Sequence, residues 1–554
     1  RERERERERE MEEAAASSSP SSLSLSAPPS SRSWMSFTKD KWLFSATKAS
    51  FLMVVLFAFT LLATRWSSLP SLGGTTLIKN AFPRSQDTLP TKTEEPPQCV
   101  TGINETLPKS PDTLPAKTEY PLQCVTGMNE TQTCPTDYPT TFEVTDPSTR
   151  TCPDYFKWIH EDLRPWKEKG ITREIVESAR PLAYFRLLVV DGKVYWEKFH
   201  GVYQTRDVFT IWGVLQLLRL YPGRLPDLDI MFEAGDVPVI NKTHYAGPEQ
   251  ANAPPMFHFC GDEYTMDIAF PDWSYWGWPE INIKGWNEFK KDLAEGNKKL
   301  PWMNRSTFAY WKGNLFMGDR MKLRECDSIE KWNAQIVNQD WARETRQGFK
   351  SSNLADQCIH RYKIYIEGIA WSVSEKYILA CDSMTLLVTP RWYEFFTRSL
   401  EPLKHYWPIN PDPKNLCKSI KYAVDWGNKH PEKAQEIGKA ASKFVQQELE
   451  MENVYDYMFH LLNEYGKLLK YKPTVPPGAT QTCPEIMACS EQGLQRQFRL
   501  DSMVKAPSKR NPCILPPPQD PQVIQDFLDK EDRTRRKVDN WVAMGDLDPQ
   551  DAST

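Results

Sequence analysis

Between residues 152 and 471, short apolar segments alternate with stretches of helical periodicity. The segments LDIMFEA, STFAYW, KYILAC and MTLLVT have the length and composition of buried strands, whereas residues 287–295 and 432–470 have helical character. A hairpin is indicated where FRLLVVDGKVYWEKF turns at Asp191 and Gly192. Alternation of this kind predicts α/β layers with parallel sheets, and the region is long enough for two of them.

The segment before this region predicts a membrane anchor. The first ten residues, RERERERERE, have no apolar face, and we hypothesise that the natural protein begins at Met11. A largely apolar stretch over residues 42–66 is long enough to cross a bilayer as a helix, and more Lys and Arg residues precede it than follow it. This pattern favours a single-pass type II signal anchor behind a cytosolic tail over residues 1–41. A cleavable signal peptide is the alternative.

Residues 67–150 are rich in Pro, Thr and Ser and contain a tandem repeat. The repeat begins as DTLPTKTEE at Asp87 and returns as DTLPAKTEY at Asp112. Two copies without a core of their own predict a disordered stem. Two N-glycosylation sequons lie in the repeats and two lie further on, all on the predicted luminal side: Asn104, Asn129, Asn241 and Asn304.

The twelve cysteines fit an oxidising lumen. Their spacing is not that of zinc ligands, so no metal is predicted, and Cys134, Cys152, Cys483 and Cys489 could tie together the ends of the globular region. Residues 472–554 are Pro-rich and charged, which predicts a tail of low order. The net charge of −4 offers no basic field for a nucleic acid.

The segment STFAYWKGNLFMGDRMKLREC predicts an anion site. A strand ends near Lys312 and Gly313, and a loop with glycines leads to a helix that carries Arg320 in its first turn. Backbone amides and a guanidinium in this arrangement can hold a diphosphate, whereas an ordinary turn with a surface ion pair is the alternative. Further polar candidates lie around two later strands, where solvated loop residues are the alternative interpretation: Ser372, Lys376 and Glu394.

Two other segments could carry recognition or chemistry. FPDWSYWGWPEINIKGW is dense in aromatic rings, and we expect Trp276 and Trp278 to reach a cleft and stack on sugars, with an aromatic core cluster as the alternative. In FEAGDVPVI, Asp236 follows a buried strand beside Gly235. Open α/β sheets present ligand-binding groups at the carboxyl ends of their strands, so Asp236 is a candidate general base, with a turn-capping residue as the alternative.

Several of these segments together carry a resemblance to a known family. FHFCGDEYTMDIAFPDWSYWGWP, AYWKGN, YIEGIAWSVSEKYILACDSMTLLV and YEFFTRSLEPLKHYWPI resemble the Rumi-type protein O-glucosyltransferases of glycosyltransferase family 90, most of all their plant members. The resemblance implies a GT-B fold with two Rossmann-like lobes facing a cleft over residues 151–471, and a lobe boundary near residue 300. It also implies a UDP-sugar donor, inversion at the anomeric carbon and no obligatory metal.

The resemblance also assigns roles to particular residues. It makes Asp236 the catalytic base, Arg320 a donor-binding residue, and Cys358 and Cys381 a disulfide pair. The chain departs from the animal enzymes in three ways: Ser374 stands where they carry an arginine, TRDVFTIWGVLQ lacks the cysteines that bound their acceptor loop, and the chain ends in DAST rather than in an ER-retention signal. The last departure, with the anchor, favours the Golgi membrane.

The expected function is therefore sugar transfer. The chain is expected to move glucose or xylose from UDP-glucose or UDP-xylose to a hydroxyl of a glycoprotein or cell-wall glycan, with no cofactor besides the donor substrate. The alternative is a catalytically silent, membrane-anchored carbohydrate-binding or scaffold protein with the same fold.

Overall fold

The strands of the computed structural model, which describes residues 120–125 and 131–548, form two sheets. One sheet has six strands and the other has five. In chain order the strands are β1 (Phe185–Val190), β2 (Lys193–Lys198), β3 (Leu228–Phe232), β4 (Met256–His258), β5 (Ile268–Ala269), β6 (Ser306–Gly313), β7 (Ala334–Asn338), β8 (His360–Tyr365), β9 (Met384–Val388), β10 (Trp407–Ile409) and β11 (Thr480–Thr482).

The six-stranded sheet is mixed and has the order β11-β2-β1-β3-β4-β5. The predicted hairpin joins β1 to β2 through Asp191 and Gly192, which both adopt positive φ, at 49° and 72°. Strand β1 is antiparallel to both β2 and β3, and β3, β4 and β5 are mutually parallel. The carboxyl ends of β2, β3, β4 and β5 therefore lie at one edge of the sheet.

The five-stranded sheet has the order β10-β9-β8-β6-β7 and is parallel throughout. The prediction of α/β layers with parallel sheets is thus confirmed, with an antiparallel hairpin added to the first sheet. The predicted strand KYILAC is wrong, since residues Glu375–Leu379 form a short helix. A short apolar run is compatible with a buried helix as well as with a strand, because both bury most of its side chains.

Helices connect and cover the strands. Those with α-helical geometry are, in chain order, α1 (Trp158–Asp162), α2 (Arg173–Ser178), α3 (Arg206–Leu220), α4 (Trp286–Lys298), α5 (Ile329–Trp332), α6 (Trp341–Arg346), α7 (Glu375–Leu379), α8 (Leu416–Lys429), α9 (Pro431–Lys443), α10 (Met451–Leu468), α11 (Pro484–Ala488), α12 (Gly493–Asp501) and α13 (Pro521–Met544). A π-helical segment, Phe444–Glu448, interrupts the predicted helical stretch between α9 and α10.

The hydrophobic core has two parts. The larger part surrounds the six-stranded sheet and continues into the second half of the chain through buried residues such as Tyr365 and Phe395. The smaller part is confined to the five-stranded sheet and the helices packed on it. Strand β5 ends at residue 269 and β6 begins at residue 306, so the chain passes from one sheet to the other in this interval. The continuous core makes the two sheets parts of one packed body.

Five disulfides cross-link the described chain: Cys124–Cys489, Cys134–Cys483, Cys152–Cys513, Cys326–Cys417 and Cys358–Cys381. The first three join residues that precede the first sheet to residues that follow α10. The prediction that cysteines tie the ends of the globular region together is therefore confirmed. The end of the expected stem is held by these bonds, and the backbone N–H of Tyr120 also donates to Lys505 O at 2.8 Å.

The prediction of a low-order tail after residue 471 is wrong for the described residues. Strand β11 pairs with β2, and α13 begins at an Asp520 cap and ends before Gly545, which has a φ of 69°. Apolar side chains of α13 enter both parts of the core, Ile524 the larger and Trp541 the smaller. The sequence reasoning missed this apolar face of the helix, because the prolines and charges of the tail lower the average hydrophobicity of the segment. They do not interrupt the helix itself.

The predicted membrane anchor over residues 42–66 lies outside the described residues, as do the first tandem repeat and the sequons at Asn104 and Asn129. Among the residues that the structure describes, none of the helices has the length and apolarity that a membrane crossing needs.

Helix α13 should contribute measurably to stability. Trp541 is 4 % exposed, so Trp541→Ala should lower the free energy of unfolding by about 3–5 kcal/mol through lost burial and a residual cavity. Met544, one turn on and 70 % exposed, provides the matched control, and Met544→Ala should change stability by less than about 0.5 kcal/mol. Urea denaturation of the full chain measures both. Equal stability of the two variants would show that α13 is not part of the core.

Candidate active site

The two sheets meet through loops at the carboxyl ends of their strands. Gly261, which follows β4, and Tyr393, which follows β9, exchange two backbone hydrogen bonds of 2.9 Å. Beside them Arg391 lies 2.8 Å from the buried carboxylate of Asp262. We call this contact region the junction. In both sheets the carboxyl-end loops are where open α/β folds place their ligand-binding groups, so the candidate residues belong at the junction.

Asp236 lies in the loop after β3, and its side chain is 41 % exposed. Arg206, in the first turn of α3, donates from Nη2 to Asp236 Oδ1 at 3.0 Å and from Nη1 to the carbonyls of Ala234 and Gly235 at 3.2 and 3.1 Å. Glu233 Oε1 accepts a hydrogen bond from Gly235 N at 3.0 Å. The loop is therefore held rigidly from two sides while the carboxylate still reaches solvent.

The turn-capping interpretation of Asp236 does not describe this geometry. A capping carboxylate accepts hydrogen bonds from nearby backbone N–H groups. Among the described residues, the hydrogen-bond donor to the Asp236 carboxylate is the Arg206 guanidinium, which belongs to another element. Arg206 was missed by the sequence reasoning. The sequence signal that could have indicated its role was an arginine at the start of a mostly apolar helix.

A buried histidine, His258, contacts the loop after β3 through Glu233. His258 Nε2 lies 2.8 Å from Glu233 Oε2, and both side chains are almost fully buried. His258 Nδ1 lies 3.0 Å from both the backbone N and the backbone O of Cys260, so the ring is held against the chain that follows β4. Glu233 is thus occupied by structural contacts. Of the two carboxylates in FEAGDVPVI, only Asp236 is accessible.

Arg320 lies in the loop region after β6, at the start of a 3₁₀ helix, Gly318–Cys326, rather than of the predicted α-helix. Its Nε donates to Glu367 O at 3.0 Å and its Nη2 donates to Ser372 Oγ at 2.8 Å. The carboxylates of the described residues lie beyond ion-pair distance, and burial lowers the pKa of the guanidinium. Arg320 is therefore a partly buried positive charge that no carboxylate of the described residues neutralises.

Close packing of two loops creates this position. Gly318 has a φ of 55°, and a Cβ atom there would lie 1.7 Å from the carbonyl oxygen of Gly368. Only glycine permits this approach, which brings the loop after β6 against the loop after β8. Arg320 and Ser372, separated by 52 residues in sequence, meet as a result. Ser374 completes the group, with its Oγ 2.9 Å from Ser372 Oγ.

Lys312 and Gly313 are the last residues of strand β6, which runs two residues past the predicted end at Trp311, and the structure does not bring Lys312 to Arg320. The Lys312 ammonium donates instead to the carbonyl of Ser351. A Cβ atom at Gly313 would lie 2.7 Å from the ring of Trp311, so the glycine is required by packing within its own strand end. Lys312 therefore lies at the same sheet edge as Arg320 with its charge directed elsewhere.

The structure contradicts the donor-binding role predicted for Lys376 and Glu394. Lys376 Nζ lies 2.7 Å from Asp272 Oδ2, and both side chains are completely buried. Glu394 is 1 % exposed, and burial raises the pKa of its carboxyl well above the usual value. Asp272 follows β5 of the first sheet, whereas Lys376 lies in α7 beside the second. These groups join the two sheets inside the core, where a ligand cannot reach them.

The two tryptophans predicted to stack on sugars, Trp276 and Trp278, differ in how deeply they are buried. Trp276 is completely buried, packs against Gly213, and donates from Nε1 to Tyr455 Oη at 3.0 Å, so the expectation that it reaches a cleft is wrong. Trp276 packs among other aromatic rings, so the alternative interpretation of an aromatic core cluster is the one that fits. Trp278 is partly buried and donates from Nε1 to Gln204 Oε1 at 2.7 Å. Sequence density alone does not reveal which rings of a cluster face outward.

The remaining candidates concern covalent and metal chemistry. The Cys358–Cys381 disulfide implied by the resemblance is present. Among the described sequons, Asn304 is exposed, whereas Asn241 accepts hydrogen bonds from the N–H and hydroxyl of Thr243. One described group has the proximity of metal ligands, Cys152, His460 and Cys513, but its two cysteines are bonded to each other as a disulfide. The described residues therefore supply a disulfide there rather than thiolate ligands.

The mixed α/β architecture with parallel sheets fits a Rossmann-like glycosyltransferase. The sequence matches the model of glycosyl transferase family 90 over residues 147–542. The chain therefore belongs to glycosyltransferase family 90. The matched region includes α12 and most of α13, in agreement with the ordered tail.

Curated relatives agree with this assignment. Human protein O-glucosyltransferase 1 is 27% identical over 358 residues, which cover 61% of this chain and 86% of that protein. The bovine protein of the same name is 28% identical over the same shares of each chain. O-glucosyltransferase rumi of Drosophila melanogaster is 25% identical over 345 residues, which cover 59% of this chain and 80% of that protein. The resemblance to the Rumi-type enzymes is thus confirmed.

The buried pair can be tested by substitution. Lys376→Met should lower the free energy of unfolding by about 3–5 kcal/mol, because it leaves the Asp272 carboxylate buried without a partner. The double variant Lys376→Met/Asp272→Asn should recover much of this loss, since the amide keeps an acceptor for Ser274 N but carries no charge. Urea denaturation and UDP binding should be measured together. Unchanged stability with lost UDP binding would return Lys376 to the donor site.

Proposed function

We propose that this chain transfers glucose or xylose from a UDP-sugar to a hydroxyl group of a glycan or glycoprotein, with inversion at the anomeric carbon. The observation that carries the proposal is the partly buried charge of Arg320, which lies beyond ion-pair distance of every carboxylate in the part of the chain that the structure describes. Such a charge is costly unless an anion binds beside it. A diphosphate is the anion that the arrangement suits, because the guanidinium and the hydroxyls of Ser372 and Ser374 lie within hydrogen-bond distance of one another in turn.

In the proposed reaction Arg320 acts on the leaving group. Negative charge grows on the UDP diphosphate as the bond to the sugar breaks, and a preorganised guanidinium stabilises that charge. The hydrogen bonds to Glu367 O and Ser372 Oγ hold the guanidinium in place before the donor arrives. Protein groups supply the positive charge in this scheme, and no metal or other cofactor is part of the proposal.

Asp236 acts on the acceptor in the same reaction. An inverting transfer requires a base that removes the proton of the acceptor hydroxyl on the face opposite the leaving group. Asp236 lies on a loop of the first sheet and Arg320 on a loop of the second, and this placement supports opposite roles. The bond from Arg206 to Oδ1 orients the carboxylate, so the other oxygen is available to accept the proton.

The names of the relatives support glucose as the transferred sugar, since the human and Drosophila proteins are O-glucosyltransferases. We further propose a location in the Golgi membrane as a single-pass type II protein. The predicted anchor and the disulfides of the described residues, which suit an oxidising compartment, support this location.

The donor site has a direct test. Arg320→Ala should weaken UDP binding by roughly tenfold to a hundredfold, the range expected when one hydrogen bond to a charged group is lost. Arg324→Ala is the matched control, since Arg324 is exposed in the same 3₁₀ helix. Isothermal titration of the full chain with UDP measures both. Equal UDP affinity in Arg320→Ala and the unmodified chain would remove Arg320 from the donor site.

The base has a separate test in transfer assays. Asp236→Asn retains the shape of the side chain but removes the base, so it should reduce sugar transfer by roughly a hundredfold or more. UDP affinity and melting temperature should change little. Asp526→Asn, on the outside of α13, serves as the control for removal of a carboxylate elsewhere. Near-normal transfer by Asp236→Asn would show that this carboxylate is not the base, and UDP binding without any transfer by the unmodified chain would favour a silent binding protein.

A further inference from the structure

Four aromatic side chains are substantially exposed in the part of the chain that the structure describes. They are Tyr203, Tyr264, Phe316 and Trp341, with exposures of 66, 52, 71 and 36 %. Each lies on a loop or at a helix start that follows the carboxyl end of a strand, after β2, β4, β6 and β7 respectively. Two of these rings therefore belong to the sheet edge that carries Asp236, and two belong to the edge that carries Arg320.

Tyr203 lies next to the candidate base. The Arg206 guanidinium that binds Asp236 Oδ1 lies 5.4 Å from the centre of the Tyr203 ring. The loop is fixed by two further contacts, from Trp278 Nε1 to Gln204 Oε1 at 2.7 Å and from Thr205 Oγ1 to Glu280 Oε2 at 2.9 Å. Tyr203 is thus exposed on an ordered support.

The conformation of Gln204 strengthens this conclusion. Gln204 has a φ of 58°, a left-handed conformation that costs free energy for a residue with a side chain. Such conformations persist where the surrounding contacts hold them, and here they turn the chain so that the preceding ring faces outward. The strain accompanies the presentation of Tyr203 beside Asp236.

Tyr264 lies beside the segment of chain that follows Asp236. The chain that follows Asp236 pairs with the chain around Tyr264, through hydrogen bonds of 2.8 Å from Met266 N to Ile240 O and from Lys242 N to Tyr264 O. The Tyr264 N–H also donates to Asp262 Oδ1 at 3.0 Å. The Arg391 guanidinium lies 5.3 Å from the ring centre. Tyr264 is therefore also held in place.

We propose that Tyr203 and Tyr264 are the two stacking platforms of an acceptor groove that binds an oligosaccharide, with Asp236 between them. The inference rests on the proposed function in taking Asp236 as the base. Flat rings that are exposed but already ordered bind with little loss of conformational freedom, and the apolar faces of sugars recur along an oligosaccharide. The guanidinium of Arg391, whose side chain is 56 % exposed, lies beside Tyr264 and can hydrogen-bond the sugar hydroxyls.

A saccharide suits this surface better than a folded protein module. Protein partners are anchored by side chains that fill well-packed, desolvated pockets. The two tyrosines are instead exposed on separate loops of the sheet edge that carries Asp236, with a guanidinium group next to each ring. This arrangement matches a chain of small, polar units with apolar faces.

The experiment measures saccharide and UDP binding to the full chain in detergent solution. The probes are cellohexaose, xylohexaose and a disulfide-bonded EGF-like peptide, each titrated against the unmodified chain and against Tyr203→Ala, Tyr264→Ala and Tyr203→Phe. At least one hexasaccharide should bind. Each alanine variant should weaken that binding about tenfold, whereas Tyr203→Phe, which keeps the ring, should retain most of it.

The outcomes separate this inference from the proposed function. UDP affinity should be the same in all four proteins, so a loss of saccharide binding with normal UDP binding supports the groove. Alanine variants that bind the hexasaccharide normally would overturn it. Binding of UDP with no saccharide bound, or with the peptide alone bound, would also overturn the inference and leave the donor site intact. Failure of the unmodified chain to bind UDP would instead contradict the proposed function.

Discussion

The buried ion pair between Asp272 and Lys376 constrains the arrangement of the two sheets. Each charge is completely excluded from water, so each requires the other, and the two come from different sheets. Separation of the sheets would leave both charges without a partner in an apolar environment. Burial also raises the pKa of the neighbouring Glu394 carboxyl well above its usual value. The pair therefore sets where the sheets meet, and with it the positions of Asp236 and Arg320.

Other contacts at the same place act in the same direction. The backbone exchange between Gly261 and Tyr393 and the Asp262–Arg391 pair connect the loops themselves, and α13 packs on both parts of the core. Asp236, the proposed base, and Arg320, the proposed donor residue, are each held by partners on their own side. A reaction that requires two groups on opposite faces of a sugar benefits from this division, since each group is positioned before substrates bind.

The sequence predicted well what depends on local pattern. Alternating apolar segments indicated the layers, the Asp191-Gly192 turn indicated the hairpin, and Asp236 follows a buried strand as the sequence indicated. It predicted poorly what depends on burial in three dimensions. A lysine is usually found on the surface, and a tryptophan-rich motif can suggest sugar binding. Lys376 and Trp276 nevertheless lie in the core, because Asp272 and Tyr455, which are distant in sequence, pair with them there.

The tail and Arg206 show a second limit of sequence reasoning. Helix α13 carries the usual start and stop signals, Asp520 with a proline and then Gly545, but the surrounding prolines and charges suggested low order. The role of Arg206 depends on a loop that lies about 30 residues further along the chain. Pairings of this kind appear only when the fold brings the elements together.

The connectivity of the disulfides has a consequence for the synthesis of the chain. Cys124, Cys134 and Cys152 pair with partners that lie 365, 349 and 361 residues later. At a translation rate of about 5–20 residues per second, these three thiols wait roughly 20 to 70 s before their partners emerge. The early cysteines can meet wrong partners during that interval. Correct folding of this chain therefore depends on thiol exchange after most of it has been made. In the finished protein, a cut in a surface loop between Cys152 and Cys483 would leave the two fragments covalently joined by these disulfides.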